Sequence, residues 1–243
     1  YGSDESMSCQ VQVTVLEQSA QLLKEYSLTE ADADLTLNGV TLGADGAVFT
    51  AGATHRSIVI SESVYEGKIA DGIVINFWAT PQSINEDWEA LFSIYDDGAS
   101  ASDASKYQHF RIGITGLDFG FNTNGVGRFS GGGFNKEVGF GGLADTENKE
   151  TMYTISIAAG SIKLYVNATL QRTYEVGSAQ WGSDAEKFDP AEVLEMLNTY
   201  SNGIRLGGYW TDDTVTSFAG TMKNVSLYAG TMTDGEIEGL YTA

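Results

Sequence analysis

Cysteine is nearly absent: Cys9 stands alone among 243 residues and cannot form an internal disulfide, so no covalent staple holds the fold. Proline occurs twice, at Pro81 and Pro190, which excludes proline-rich linkers and repeats. His55 and His109 stand apart, with no second cysteine and no His-x-x-x-His to complete a zinc site. No apolar run approaches the ~18 residues of a membrane helix, so membrane insertion is not expected. Positive charge is also short. Thirteen Lys and Arg face 33 Asp and Glu, a net charge of −20. So acidic a surface repels phosphate backbones, which argues against nucleic acid, anionic membranes and polyanionic glycans, and leaves neutral ligands and cations.

What is present suits a folded β protein. Hydrophobic residues at 42% supply a substantial core and exclude a disordered chain, and the 29 glycines supply turns. Period-2 alternation dominates. Gly72–Thr80 sets Ile73, Ile75, Phe77 and Ala79 against Val74, Asn76 and Trp78, while Ser161–Asn167 and Thr154–Ala158 alternate in the same way. Further strands are expected at Val11–Leu16, Ser57–Ile60, Ala90–Tyr95, Phe110–Thr115, Leu117–Asn122, Asn202–Gly207 and Phe218–Tyr228. Each reads as a strand with one buried face. About ten strands with Gly/Asp/Asn/Ser turns predict an all-β, two-sheet antiparallel jelly-roll sandwich.

Two short helices are expected. One runs over Ala191–Thr199 behind Asp189-Pro190, and one over Ile237–Tyr241 behind the capping-box pattern Thr233-Asp-Gly-Glu236. Residues 17–34 show no clear period. No composition break divides the chain, so a single domain over 1–243 is expected, with residues 1–32 as an N-terminal strand and connecting segment. The first residue is Tyr1 rather than Met, from which the expectation is a piece of a larger, multidomain protein.

Three segments carry a further pattern. They are Gly72–Pro81 (GIVINFWATP), the strand pair Tyr153–Ala158 and Ser161–Asn167, and the closing run Gly203–Gly207, Phe218–Tyr228 and Met232–Ile237. In order and spacing they resemble the laminin-G-like, concanavalin A-like jelly rolls over residues 33–243. The resemblance implies that sandwich fold and a place among lectins, carbohydrate-binding modules, adhesion domains, glycosidases and spacers. Two departures stand out. Lys223-Asn224 replaces an Asp pair common in that family, which puts any metal or strand-bending role there in doubt. Asn167-Ala168 replaces Asp-Gly, which weakens the turn signal.

Catalytic signals are thin. The Glu-x-Asp-x-Glu strand of related β-glucanases is missing, and Glu236/Glu238 and Glu186/Asp189/Glu192 fall at expected helix starts, where acids complement the dipole. No Gly-x-Ser-x-Gly elbow occurs, and the glycines of 120–142 lack the strand–loop–helix setting of a phosphate cradle. The expectation is that the chain is not an enzyme. Asp96-Asp97-Gly98 and Asp212-Asp213 offer hard oxygen ligands, from which a structural Ca²⁺ is the one cofactor considered, with Asp96 and Asp97 as candidate ligands.

Aromatics carry the functional reading. Tyr209-Trp210-Thr-Asp212-Asp213 sets two rings and two carboxylates in one loop, Trp88 follows Asn85-Glu86-Asp87, and Trp181 lies in a polar stretch. Trp78 and Asn76 share one strand face, and Arg111 lies opposite Ile112. Rings that stack on sugar C–H faces, flanked by groups that bond hydroxyls, predict a lectin-like or carbohydrate-binding module for neutral polysaccharide. Such a module belongs to a secreted or cell-surface bacterial protein. The alternatives are an adhesion or spacer domain that binds protein, and a glycoside hydrolase with carboxylates converging from distant segments.

Overall fold

Ile73, Ile75, Phe77 and Ala79 are buried in one core, as alternation along their strand requires, together with Ile155, Ile157, Ile162 and Leu164 from its neighbours. The computed structural model describes residues 20–52, 56–82, 89–96, 109–114, 126–129, 137–139, 146–175, 190–199, 201–208 and 218–243. In chain order these form β1 (Gln21–Tyr26), β2 (Leu35–Asn38), β3 (Val40–Gly43), β4 (Gly46–Phe49), β5 (Ser57–Ile60), β6 (Ile73–Pro81), β7 (Glu89–Asp96) and β8 (His109–Ile114). There follow β9 (Val126–Phe129), β10 (Glu137–Gly139), β11 (Thr151–Ala158), β12 (Ser161–Val166), β13 (Thr169–Glu175), α1 (Pro190–Thr199), β14 (Ser201–Leu206), β15 (Gly220–Ala229) and α2 (Asp234–Thr242).

The strands make two antiparallel sheets. The first runs β13-β12-β11-β6-β15-β4-β3, and the second β10-β9-β8-β7-β14-β5-β2. One edge of β15 is shared: β4 pairs with Gly220–Met222 and β1 with Val225–Ala229. Between the two, Asn224 takes a left-handed φ of 52° and the register shifts. Such a bulge bends its strand. The ambiguous stretch 17–34 resolves in part into β1. Lys24 on that strand pairs with Asp32 at 3.2 Å and Asp34 at 3.0 Å, tying it to the segment that leads into β2.

Inward-facing residues of both sheets form one hydrophobic cluster from Tyr26 to Leu227. Helix α1 packs against β11 and β12 of one sheet and β7 and β14 of the other, burying Val193, Leu194, Met196 and Leu197 in the same core. Ring pairs pack neighbouring segments of the first sheet: Phe49 meets Phe218, just before β15, edge-on at 5.3 Å, and Phe77 stacks on its register partner Tyr153 at 5.7 Å.

The one-buried-face expectation fails for β6 and β11. Val74, Asn76, Thr154 and Met152 on the outer face are buried too. The physical reason lies partly in α2, whose Ile237 joins Met152 and Tyr165 in a second, smaller core packed against Trp78 and Leu240. The helix begins as expected, with the Thr233 hydroxyl accepting from the Glu236 amide and the Glu236 carboxylate accepting from the Thr233 amide at 2.7 Å. Glu236 is thereby employed in capping. Val11–Leu16 and Leu117–Asn122 lie outside the described residues.

Candidate functional site

Strand register sorts the candidate residues between the two ends of the sandwich. Pro81, Gly220 and Phe49 are register partners where β6, β15 and β4 meet at one end. The Gln82 amide donates to the Ala219 carbonyl at 2.8 Å, and the Asn148 amide to the Pro81 carbonyl at 2.7 Å. The Phe218 amide donates to the Gly207 carbonyl at 2.7 Å, and the Gly207 amide to the Leu91 carbonyl at 3.0 Å, which joins the second sheet to this end. The stretches that carry Trp88 and Tyr209, Trp210, Asp212 and Asp213 are entered from these bonded flanks. Those six-to-nine-residue stretches themselves, 83–88 and 209–217, lie outside the described residues.

The described flanks of the other candidate segments lie at the opposite end. Asp96 closes β7, with Ser201 as its register partner, and the stretch carrying Trp181 is entered from Glu175, paired with Ser161. Trp181 and Asp97 also lie outside the described residues. Among the described residues, no three His, Cys, Asp or Glu side chains converge to hold a metal ion.

Asn76 is removed from the predicted sugar contacts, and Trp78 is partly covered. Asn76 is only 5% exposed, and its Oδ1 accepts from the Thr154 hydroxyl at 2.7 Å, so it presents nothing to a ligand. Trp78 has one ring face covered by Tyr241 of α2, centroids 5.7 Å apart. Alternation correctly sent both away from the main core, but the terminal helix roofs that side of the sheet. Beside them the buried Tyr165 hydroxyl donates to Asp234 at 2.8 Å; burial first, and then the Asp234 carboxylate, pushes its pKa up. Arg111 is placed by backbone register, between Ser93 of β7 and Arg128 of β9.

At the first end, on the outer face of the first sheet, lies a recess of about 410 Å³. Thr50, Thr80, Gln82, Asn148 and Thr221 give it hydroxyls and amides, while Val48 and Ala51 give it aliphatic surface. Among the described residues every lining side chain is neutral. The walls come from three strands and three connections. Val48, Thr221 and Thr80 are cross-strand partners, Gln82 follows β6, and Asn148 is held at φ 55° by its amide bond to Pro81. The buried Arg56 donates through Nη1 to the Thr50 carbonyl, fixing the rim. Sequence reasoning missed this set because its members are scattered and individually ordinary.

No protein family matches the chain, and no curated protein sequence is similar to it. Solved structures do share its fold. Domain 4 of the extracellular arabinanase AbnA from Geobacillus stearothermophilus, determined in complex with arabinotriose, superposes with a TM-score of 0.54 at 16% identity, over 92% of this chain and 100% of that domain. The binding domain of Paraclostridial Mosquitocidal Protein 1 gives 0.55 at 14% identity, covering 91% of this chain and 52% of that one. The botulinum neurotoxin serotype G binding domain gives 0.56 at 14% identity, over 91% and 51%. The chain thus spans about half the length of the toxin domains. At these identities the likeness establishes an all-β sandwich.

Proposed function

We propose that this chain is a non-catalytic saccharide-binding module of laminin-G-like type, from an extracellular or cell-surface protein, and that it holds a neutral glycan in the recess beside Pro81. The observation that carries the reading is the neutral lining of that recess in a chain of net charge −20. A ligand there loses hydration to threonine hydroxyls and to the Gln82 and Asn148 amides, which replace its hydrogen bonds, while Val48 and Ala51 meet C–H faces. Trp88, a candidate stacking ring, follows Gln82 by six residues in the sequence. The arabinotriose complex of the arabinanase domain supports the choice of ligand class by analogy.

The test is affinity electrophoresis of the full chain against soluble neutral polysaccharides, with Ca²⁺ and with EDTA. Retardation by a neutral glycan is expected, with no shortening of the polymer. Gln82→Ala and Thr80→Val should each weaken it about tenfold, the loss of one hydrogen bond left unmade. Retardation that EDTA abolishes would place a cation in the site. New reducing ends would replace the reading by a glycosidase, and no retardation at all by an adhesion or spacer domain.

A further inference from the structure

Lys223 of β15 reaches Glu150, the residue before β11, with Nζ 2.6 Å from the carboxylate. Strand β6 lies between β15 and β11, so this ion pair crosses over β6 on the outer face. Register sets Lys223 beside Trp78 and Thr151 beside Ala79, which puts the crossing between Trp78 and Thr80, a lining residue of the recess. Beyond the crossing α2 occupies the sheet, with Tyr241 on Trp78 and Ile237 on Met152 and Tyr165. Asn148, whose amide is tied to the Pro81 carbonyl, stands on the same side. The recess is therefore walled toward β11. Its other side differs. Thr80, Thr221, Val48 and Thr41 are successive register partners across β6, β15, β4 and β3, and directly paired residues share a face. Thr80 and Thr221 are half-buried, while Val48 and Thr41 are exposed and β3 is the edge of the sheet. Gly43 lies beside this row, where an added Cβ would meet the Gly46 carbonyl oxygen at 3.6 Å and nothing closer. Strands spaced by about 4.8 Å make the row about 14 Å long, a span of roughly three sugar rings.

We propose that the recess receives the terminal residue of a linear neutral oligosaccharide, whose chain leaves across β4 and β3 along the threonine row. The inference rests on the neutral-glycan reading of the recess and adds to it which part of the glycan is held. At the wall the Lys223 ammonium donates and the Glu150 carboxylate accepts, so together they serve neighbouring hydroxyls, which are each donor and acceptor. A chain end presents one more free hydroxyl than an internal residue, whose glycosidic bond replaces it. Both charged side chains keep partial exposure, at 34% and 54%, so hydroxyls can join the pair without leaving a buried charge unpaired. Along the exit the Thr221 and Thr41 hydroxyls bond the next rings, and Val48 between them meets a C–H face. Lys223 stands where related jelly rolls carry an acid, and that departure supplies the cationic half of the wall.

The experiment titrates the full chain with cello-, xylo-, malto- and arabino-oligosaccharides from mono- to hexasaccharide. In the series that binds, affinity should rise up to about the trisaccharide and then stay level. The trisaccharide is then tested with a bulky dye on its reducing end or on its non-reducing end. One labelled form should bind like the free sugar, and the other at least tenfold more weakly. Glu150→Ala combined with Lys223→Ala should admit the rejected form at least tenfold better, with native circular dichroism. Thr41→Val should weaken the trisaccharide several-fold and leave the disaccharide unchanged. Equal affinity for the two labelled forms, a continued rise through the hexasaccharide, or unchanged rejection by the folded double variant would each overturn the proposal. If no series binds, or if Gln82→Ala binds as the native chain does, the recess reading falls and takes this inference with it. Binding that depends on Gln82 but ignores the chain ends overturns this inference alone.

Discussion

The indole of Trp78 on β6 and the ring of Tyr241 on α2 lie stacked, with centroids 5.7 Å apart and planes inclined by 15°. Next to them Tyr165 donates to Asp234 at the start of the same helix. The C-terminal helix is thus fastened to the outer face of the first sheet at both of its ends, by a ring stack and by a hydrogen bond.

Trp78→Ala should therefore act on stability. Removing a half-buried indole from this small second core is expected to cost about 2 kcal/mol, below the 3–5 kcal/mol of a fully buried Trp. Calorimetry should show a lowered midpoint, and Tyr241→Ala should lower it as well. Neutral-glycan retardation should be unchanged in both, and a selective loss of retardation at native stability would return Trp78 to the binding surface.

The β12–β13 turn offers a gain. Asn167 and Ala168 both hold positive φ, 47° and 60°, as a two-residue type I′ turn requires. Asn167 suits that conformation, and its Oδ1 also accepts from the Met152 amide at 2.9 Å. Ala168 is strained by its Cβ. Ala168→Gly should raise stability by about 1 kcal/mol in urea titration. Asn167→Ala should lower it by about 1–3 kcal/mol, because the Met152 amide loses its acceptor.

Alkaline pH should unfold the chain. Burial pushes the Tyr153 phenol up to about 12, and burial also raises Tyr26, Tyr165 and Tyr228. The folded state therefore keeps protons that the unfolded chain releases near pH 10, and this contribution is complete below pH 10. For Tyr153 the loss runs from pH 10 to about 12 and amounts to roughly 3 kcal/mol. Absorbance at 295 nm should show a first group of tyrosines titrating near 10, and these four ionising together with the loss of far-ultraviolet structure. Full titration of all tyrosines near 10 in a still-folded chain would contradict the burial.

Glycine substitutions separate strain from open space. At Gly220, with φ +142°, an added Cβ would lie 2.1 Å from the Thr80 carbonyl oxygen, which is backbone and cannot swing away. Gly220→Ala should cost about 3 kcal/mol or more and deform the recess. At Gly239 on α2 a Cβ meets nothing within 4 Å, so Gly239→Ala should stabilise the helix by up to about 1 kcal/mol. Urea midpoints of the two variants should move in opposite directions.

Local chemistry made much of the fold legible. The alternation of β6, β11 and β12, the Asp-Pro start before α1 and the Thr233/Glu236 box before α2 all act within a few residues, and each appears where the sequence places it. The strands β2, β3, β4, β9, β10 and β13, at or next to the sheet edges, escaped notice because they are short or only partly apolar and depend on a neighbour for their hydrogen bonds. The fold class, the scarcity of metal-ligand patterns and the acidic charge thus follow from sequence alone. Burial on the second face of a strand does not, since nothing in Asn76 or Trp78 records that a helix more than 150 residues later will cover them. The recess around Gln82 likewise exists only through register, because residues far apart in the chain become neighbours when hydrogen-bonded strands set them side by side.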